Sequence, residues 1–210
     1  VPLNHTSKYS ELTESQYAAI GRAVVEWANV EMLLGVLLSR LLATPEFLGR
    51  TYTDSISAMR LQNAINEAID IHRIRYSHRI VPEQVLLEIA QINARVSTLR
   101  GIRNKIAHFC WVRSHDEEVF GISFRGGVPS PKKERRDNAV ITSQELANLN
   151  AEAYSLVEQL MKLVEKIPEV TEESLQMMFP DPNPRAGLAG YAPLRHQSRH
   201  RECVKTQNFR

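Results

Sequence analysis

The chain has 210 residues, 43% of them apolar and 24% charged, the proportions of an ordinary globular protein. Its two cysteines, Cys110 and Cys203, are too few and too far apart for a disulfide framework, and a reducing setting follows. The longest apolar stretch, Met32 to Leu42, is interrupted by Ser39 and Arg40 and is about half of what a membrane-spanning helix needs. No basic-then-apolar leader follows Val1-Pro2, so the expectation is a cytoplasmic protein with no membrane association.

Charge is unevenly divided. The 26 basic and 24 acidic residues give +2, but from Asp181 onward six basic residues face Asp181 and Glu202 alone, or +4. That leaves 20 basic against 22 acidic residues, or −2, over Val1 to Pro180. A weakly acidic body argues against a surface coated for duplex DNA, where many phosphate neutralisations supply the affinity. Contact with nucleic acid is expected to be local.

Helical periodicity dominates. Thr13 and Gln16 form a capping-box pattern. After it Tyr17, Ile20, Val24, Trp27, Glu31, Leu34, Leu38 and Leu41 recur at alternating steps of three and four, one face of a long helix. Beyond Val30 this helix is apolar nearly all round and should be covered on several sides. Thr44-Pro45 restarts the chain in a short helix through Phe47 and Leu48 that ends near Gly49. A second long helix runs from about Ser55 through Ile56, Met59, Ala64, Ile65, Ile69 and Ile71, and stops before Val81-Pro82. The third opens at Pro82 and repeats Val85, Ile89, Ile92, Val96, Leu99, Ile102, Ile106 and Phe109.

The period then changes to two. Cys110 to Arg113 and Val119 to Phe124 flank a polar Ser114 to Glu118 and predict a β-hairpin, at about 110–125. Gly126, Gly127, Pro129, Pro131 and the run Lys132 to Arg136 predict a basic loop over 126–140. Thr142 and Glu145 are a second capping box, and Leu146, Leu149, Tyr154, Val157, Leu160 and Leu163-Val164 carry a last helix to Pro168. A short helix capped by Thr171 is expected over Glu172 to Met178. From Pro180 the hydrophobic pattern is lost, and 179–210 read as a disordered basic tail. The expected fold is all-α, an up-and-down helical bundle over 11–178 with a β-hairpin inserted between the third and last long helices.

One segment carries chemistry. Arg100, Arg103, Asn104, Lys105 and His108 crowd the C-terminal end of the third helix. At about 100° per residue Arg100, Asn104 and His108 stack along one face, with Arg103 on the neighbouring flank. Cations there also complement the helix dipole, which is the plain structural explanation. Glu31 occupies a core-facing position between Trp27 and Leu34, and a carboxylate in that place needs a partner. An arginine on an adjacent antiparallel helix, Arg103 or Arg100, is at hand.

The run Arg103-Asn104-Lys105-Ile106-Ala107-His108, late in the third long helix of an all-α bundle, resembles the signature of the HEPN superfamily. That signature is an arginine, usually followed by a polar residue, with a histidine after four to six intervening residues. The first helix, with Trp27-Ala28-Asn29-Val30-Glu31 before a leucine-rich run, is also similar, and the likeness spans Glu11 to Ile167. It departs from the family in the hairpin and basic loop placed before the last helix. The resemblance implies a metal-independent endoribonuclease without a cofactor, a toxin or defence factor that works as a homodimer with its two motifs across one cleft. In that scheme His108 takes the proton of a ribose 2′-hydroxyl as it attacks the adjacent phosphate, and Arg103 stabilises the developing charge. Asn104 orients phosphate or histidine, Glu31 supports, and Arg100 and Lys105 bind RNA. An antitoxin or regulatory protein is a further expected partner.

A metal site is a weaker reading: His72 and His78 share no helical face, and His108 with Cys110 lacks a second ligand pair at zinc spacing. Cys110 opens a strand with apolar neighbours and reads as an inert thiol. Two alternatives to the nuclease stand beside it. One is a non-catalytic dimeric module of the same type that binds a nucleotide or a partner protein. The other is a structural helical protein in which Arg103 and His108 only cap and pair.

Overall fold

Five α-helices and a three-stranded antiparallel sheet make up the described residues of this computed structural model, which are 10–77, 79–115, 117–123, 138–171, 173, 174 and 177. The chain divides into units 1–172 and 173–210, and in the second only those last three residues are described. The expected tail, the loop at 126–137, the last two residues of the hairpin expected at 110–125 and most of the short helix expected over Glu172 to Met178 therefore lie outside the described residues.

The helices are α1 (Glu14–Leu41), α2 (Glu46–Thr53), α3 (Ala58–Ile74), α4 (Glu83–His108) and α5 (Ser143–Glu165). Both capping boxes form. The Gln16 backbone N–H donates to Thr13 Oγ1 at 3.2 Å while the Thr13 N–H donates to Gln16 Oε1 at 2.9 Å. The Thr142 N–H donates to a Glu145 carboxylate oxygen at 2.8 Å, and the Glu145 N–H to Thr142 Oγ1 at 3.1 Å. α2 continues past Gly49 to Thr53, so the glycine is not a stop. Its role is contact: a Cβ at Gly49 would lie 2.5 Å from Ser39 Cβ, and one at Gly35 would lie 2.8 Å from Thr53 Oγ1. Two missing side chains let α1 and α2 approach closely.

α1 packs against all four other helices. Its second half is buried from Leu33 to Ser39, as the all-round apolar sequence requires. Trp27, Val30, Leu34 and Leu37 meet Leu61 and Ile65 of α3, Leu86 and Ile89 of α4, and Leu156 and Leu160 of α5 in the main core. His72 belongs to this interior. Its Nε2–H donates to the Leu41 carbonyl at 2.8 Å, which makes it a helix-tethering group.

The sheet is larger than the hairpin that periodicity indicates. β1 (Cys110–His115) and β2 (Glu118–Ile122) pair as expected, with Val112 opposite Phe120. A third strand, β3 (Asn138–Thr142), adds to β2 with Ile141 opposite Val119, and it takes the end of the stretch read as loop. Five residues with one buried side chain give too short an alternation to stand out after a polar run; pairing with β2 makes the strand. Trp111 lies across from Gly121, where a Cβ would stand 2.7 Å from the indole ring, and its Nε1–H donates to the Ile106 carbonyl at 3.0 Å. Trp111, Val119 and Ile141 join Leu12, Ala23, Ile106, Leu146 and Leu149 in a second core. That core fixes the sheet over the end of α4.

Several expected core positions are at the surface: Val24, Met59, Ile71, Ile102 and Tyr154 are all exposed. Cys110 is exposed as well, so its thiol is not shielded as its apolar neighbours suggested. Among the described residues no helix is long and apolar enough to cross a membrane.

Candidate functional site

The motif occupies the last two turns of α4. That helix ends at His108 because Phe109 turns to extended backbone (φ −91°, ψ 148°) and leads directly into β1. Counting back along the helix, the buried stripe runs Val85, Ile89, Ile92, Val96, then Leu99, and reaches Ile106. Arg103 stands in that stripe, where Ile102 was expected, and so points toward α1. Its head meets the Glu31 carboxylate of α1.

Glu31 is the hub of this contact. One carboxylate oxygen accepts the Trp27 Nε1–H at 2.7 Å and lies 3.4 Å from Arg103 Nη2. The guanidinium carbon sits 5.6 Å from the centre of the Trp27 ring, close enough for cation–π attraction. Arg103 Nη1 also donates to Asn104 Oδ1 at 3.3 Å. The side chains of Arg103 and Glu31 keep 26% and 33% of their exposure, so the pair is at the rim of the core and partly hydrated. The expected partnership of Glu31 with an arginine of α4 is present, and Arg103 is the arginine.

The other expected site residues divide. Asn104, which Arg103 contacts, is exposed, and so is His108. From Arg103 to His108 the helix turns through about 500° and rises about 7.5 Å, so within one chain the two side chains leave α4 in different directions. Arg100 is diverted: its Nη1 donates to Gln62 Oε1 of α3, at the mouth of a polar cleft of about 550 Å³ between α3 and α4. Lys105 lines another groove, of about 500 Å³, with Ile102, Val140 and Glu145. It is not grouped with Arg103.

Sequence reading missed three contributors. Trp27 was placed in the core, yet its indole N–H orients Glu31; the four-residue spacing that puts both on one helix face carried that signal. Gln62 and Asn93 are buried carboxamides that clasp α3 to α4. The Gln62 Nε2 donates to the Asn93 carbonyl at 2.8 Å, and the Asn93 Nδ2 to the Gln62 carbonyl at 3.0 Å. Among the described residues no three His, Cys, Asp or Glu side chains gather to hold a metal ion. Compared with protein-family models, curated proteins and solved structures, the chain matches none.

Proposed function

We propose that this chain is a metal-independent endoribonuclease of the HEPN type, its helices forming that family's up-and-down bundle, and that it acts in the cytoplasm as a toxin or defence factor. The observation that carries the reading is the Glu31–Arg103 pair, which holds a guanidinium at the rim of the core directly beside the exposed Asn104 and five residues before the exposed His108. Asn104 accepts from one of the five N–H donors that a guanidinium carries, Glu31 pairs with its charge at 3.4 Å, and the remaining donors can fork onto phosphate oxygens. The His108 imidazole is the group on this face that can take the 2′-hydroxyl proton. The 2′ oxygen then attacks the adjacent phosphorus, the 5′ oxygen leaves, and the products are a 2′,3′-cyclic phosphate and a 5′-hydroxyl.

The divergence of Arg103 and His108 on one helix favours a site shared by two copies. Along α1, next to Glu31, the exposed residues Gly21, Val24, Val25, Ala28 and Met32 form an apolar stripe, with Val25 59% exposed. A second copy seated on it about a two-fold axis sets the two motif faces across a common groove. The pairing of Arg103 with Glu31 also supports a second reading, a non-catalytic dimeric module that binds a nucleotide or protein partner, because a guanidinium so engaged serves as a structural tie.

Incubating RNA with the protein and a chelator tests these readings. Cleavage giving cyclic-phosphate ends is expected, reduced about 10²- to 10⁴-fold by His108→Ala. Val25→Glu should yield a monomer without activity. Equal cleavage by His108→Ala and the unaltered protein would remove His108 from the mechanism, no cleavage by either would overturn the nuclease assignment, and nucleotide binding with no cleavage would select the module.

A further inference from the structure

The cleft between α3 and α4 is built unlike the apolar pockets that usually hold small molecules. Its walls carry the carboxamides of Gln62, Asn63, Asn66 and Asn93, the Ser97 hydroxyl and the Arg100 guanidinium. Part of this set is spent on the fold: Asn93 Nδ2 donates to the Gln62 carbonyl and, at 2.8 Å, to Asn66 Oδ1, and Arg100 donates to Gln62. Part is not. Asn63 and Ser97 are exposed and make no hydrogen bond among the described residues, and Asn93 Oδ1 is a buried acceptor with no partner. A buried polar atom left unpaired costs stability, so the fold itself does not fully satisfy this wall of the cleft.

The cleft and the motif lie along the same helix. Asn93, Ser97, Arg100, Asn104 and His108 follow one another at steps of three and four along α4, and so share one ridge of that helix. From Arg100 to His108 the ridge covers about 12 Å, the span of a few nucleotides at most. Carboxamides offer a donor and an acceptor side by side, the pattern that pairs with a base edge, and single-stranded RNA presents such edges when its bases are splayed out. One arginine beside them supplies a phosphate contact.

We infer that the α3–α4 cleft is a subsite for single-stranded RNA, in which Asn63, Ser97 and the free donors of Arg100 hold a nucleotide a few positions from the scissile phosphate and set sequence preference. This rests on the nuclease reading for its geometry, but RNA binding at the cleft is measurable without cleavage. The test is a double variant, Asn63→Ala with Ser97→Ala, both surface positions outside the α3–α4 clasp. Anisotropy of a labelled oligoribonucleotide is measured in a His108→Ala background, and cleavage sites are mapped with His108 intact.

About tenfold weaker binding is expected, together with altered site preference, while a dinucleotide too short to reach the cleft is cleaved at the unaltered rate. Unchanged binding and unchanged sites overturn the subsite and leave the nuclease standing. Loss of binding by the double variant, in a protein that cleaves no RNA at all, supports the cleft and removes the nuclease. Failure of the unaltered protein to bind the oligonucleotide overturns the cleft assignment outright.

Discussion

Replacing Glu31 separates the two jobs of its carboxylate. In Glu31→Ala the Trp27 indole N–H, on a residue 2% exposed, loses a charged acceptor at 2.7 Å, and Arg103 loses its counter-charge at 3.4 Å. A hydrogen bond to a charged group is worth about 1.5–3 kcal/mol. The ion pair, partly hydrated on both sides, is worth about 0.2–1 kcal/mol. The indole bond therefore dominates, and Glu31→Ala should destabilise by about 2–3 kcal/mol. Glu31→Gln keeps a neutral acceptor for Trp27, worth about 0.5–1.5 kcal/mol, and gives up the charge assistance and the ion pair, so its loss should be smaller, about 1–2 kcal/mol. Equilibrium urea unfolding followed by tryptophan fluorescence measures both, since Trp27 and Trp111 are the only two tryptophans. Equal losses for the two variants would refute this reasoning, because they would make the charge and not the indole contact the main contribution. So would an alanine variant as stable as the unaltered protein.

Two glycines should respond oppositely to alanine. Gly49→Ala places a Cβ 2.5 Å from Ser39 Cβ and 3.4 Å from its Cα, where no flexible chain end can yield, and should cost about 1–3 kcal/mol. Gly101→Ala, on α4 with open space around it, should stabilise by about 0.5–1 kcal/mol through the lower helix propensity of glycine; thermal midpoints compare the two. Glu145 gives a pH dependence. The Thr142 backbone N–H, and after it the Thr142 hydroxyl, hold its carboxyl below the usual value. Its contribution is then present above the unfolded value of about 4.3 and is lost as pH falls through the lower folded value. Glu145→Gln should flatten that acid limb of a urea-midpoint profile, and an unchanged slope would show that the cap carries no linkage.

The helices were legible because their signals are local. Capping boxes act across three residues, and apolar spacing acts within one turn, so Thr13, Thr142 and the stripes around Leu34, Ile89 and Leu160 are readable without knowing any neighbour. A stripe shows that a helix has a buried side, but how wide that side is depends on what packs there. Val24, Ile102 and Tyr154 fit the period and are still exposed, because no element covers them among the described residues. For the same reason β3, which exists through its pairing with β2, was hidden.

In the site the division is similar. Sequence alone put a carboxylate on the core side of the first helix and a cluster of arginine, asparagine and histidine at the end of the third. Which arginine Glu31 would take was open, and the packing of α1 on α4 decided it: Arg103 turns toward Trp27 and Glu31, while Arg100 is drawn to Gln62 of α3. A long side chain has many rotamers of nearly equal energy, so its partner is chosen by the surface that the neighbouring helix presents, and that surface is a property of the tertiary structure.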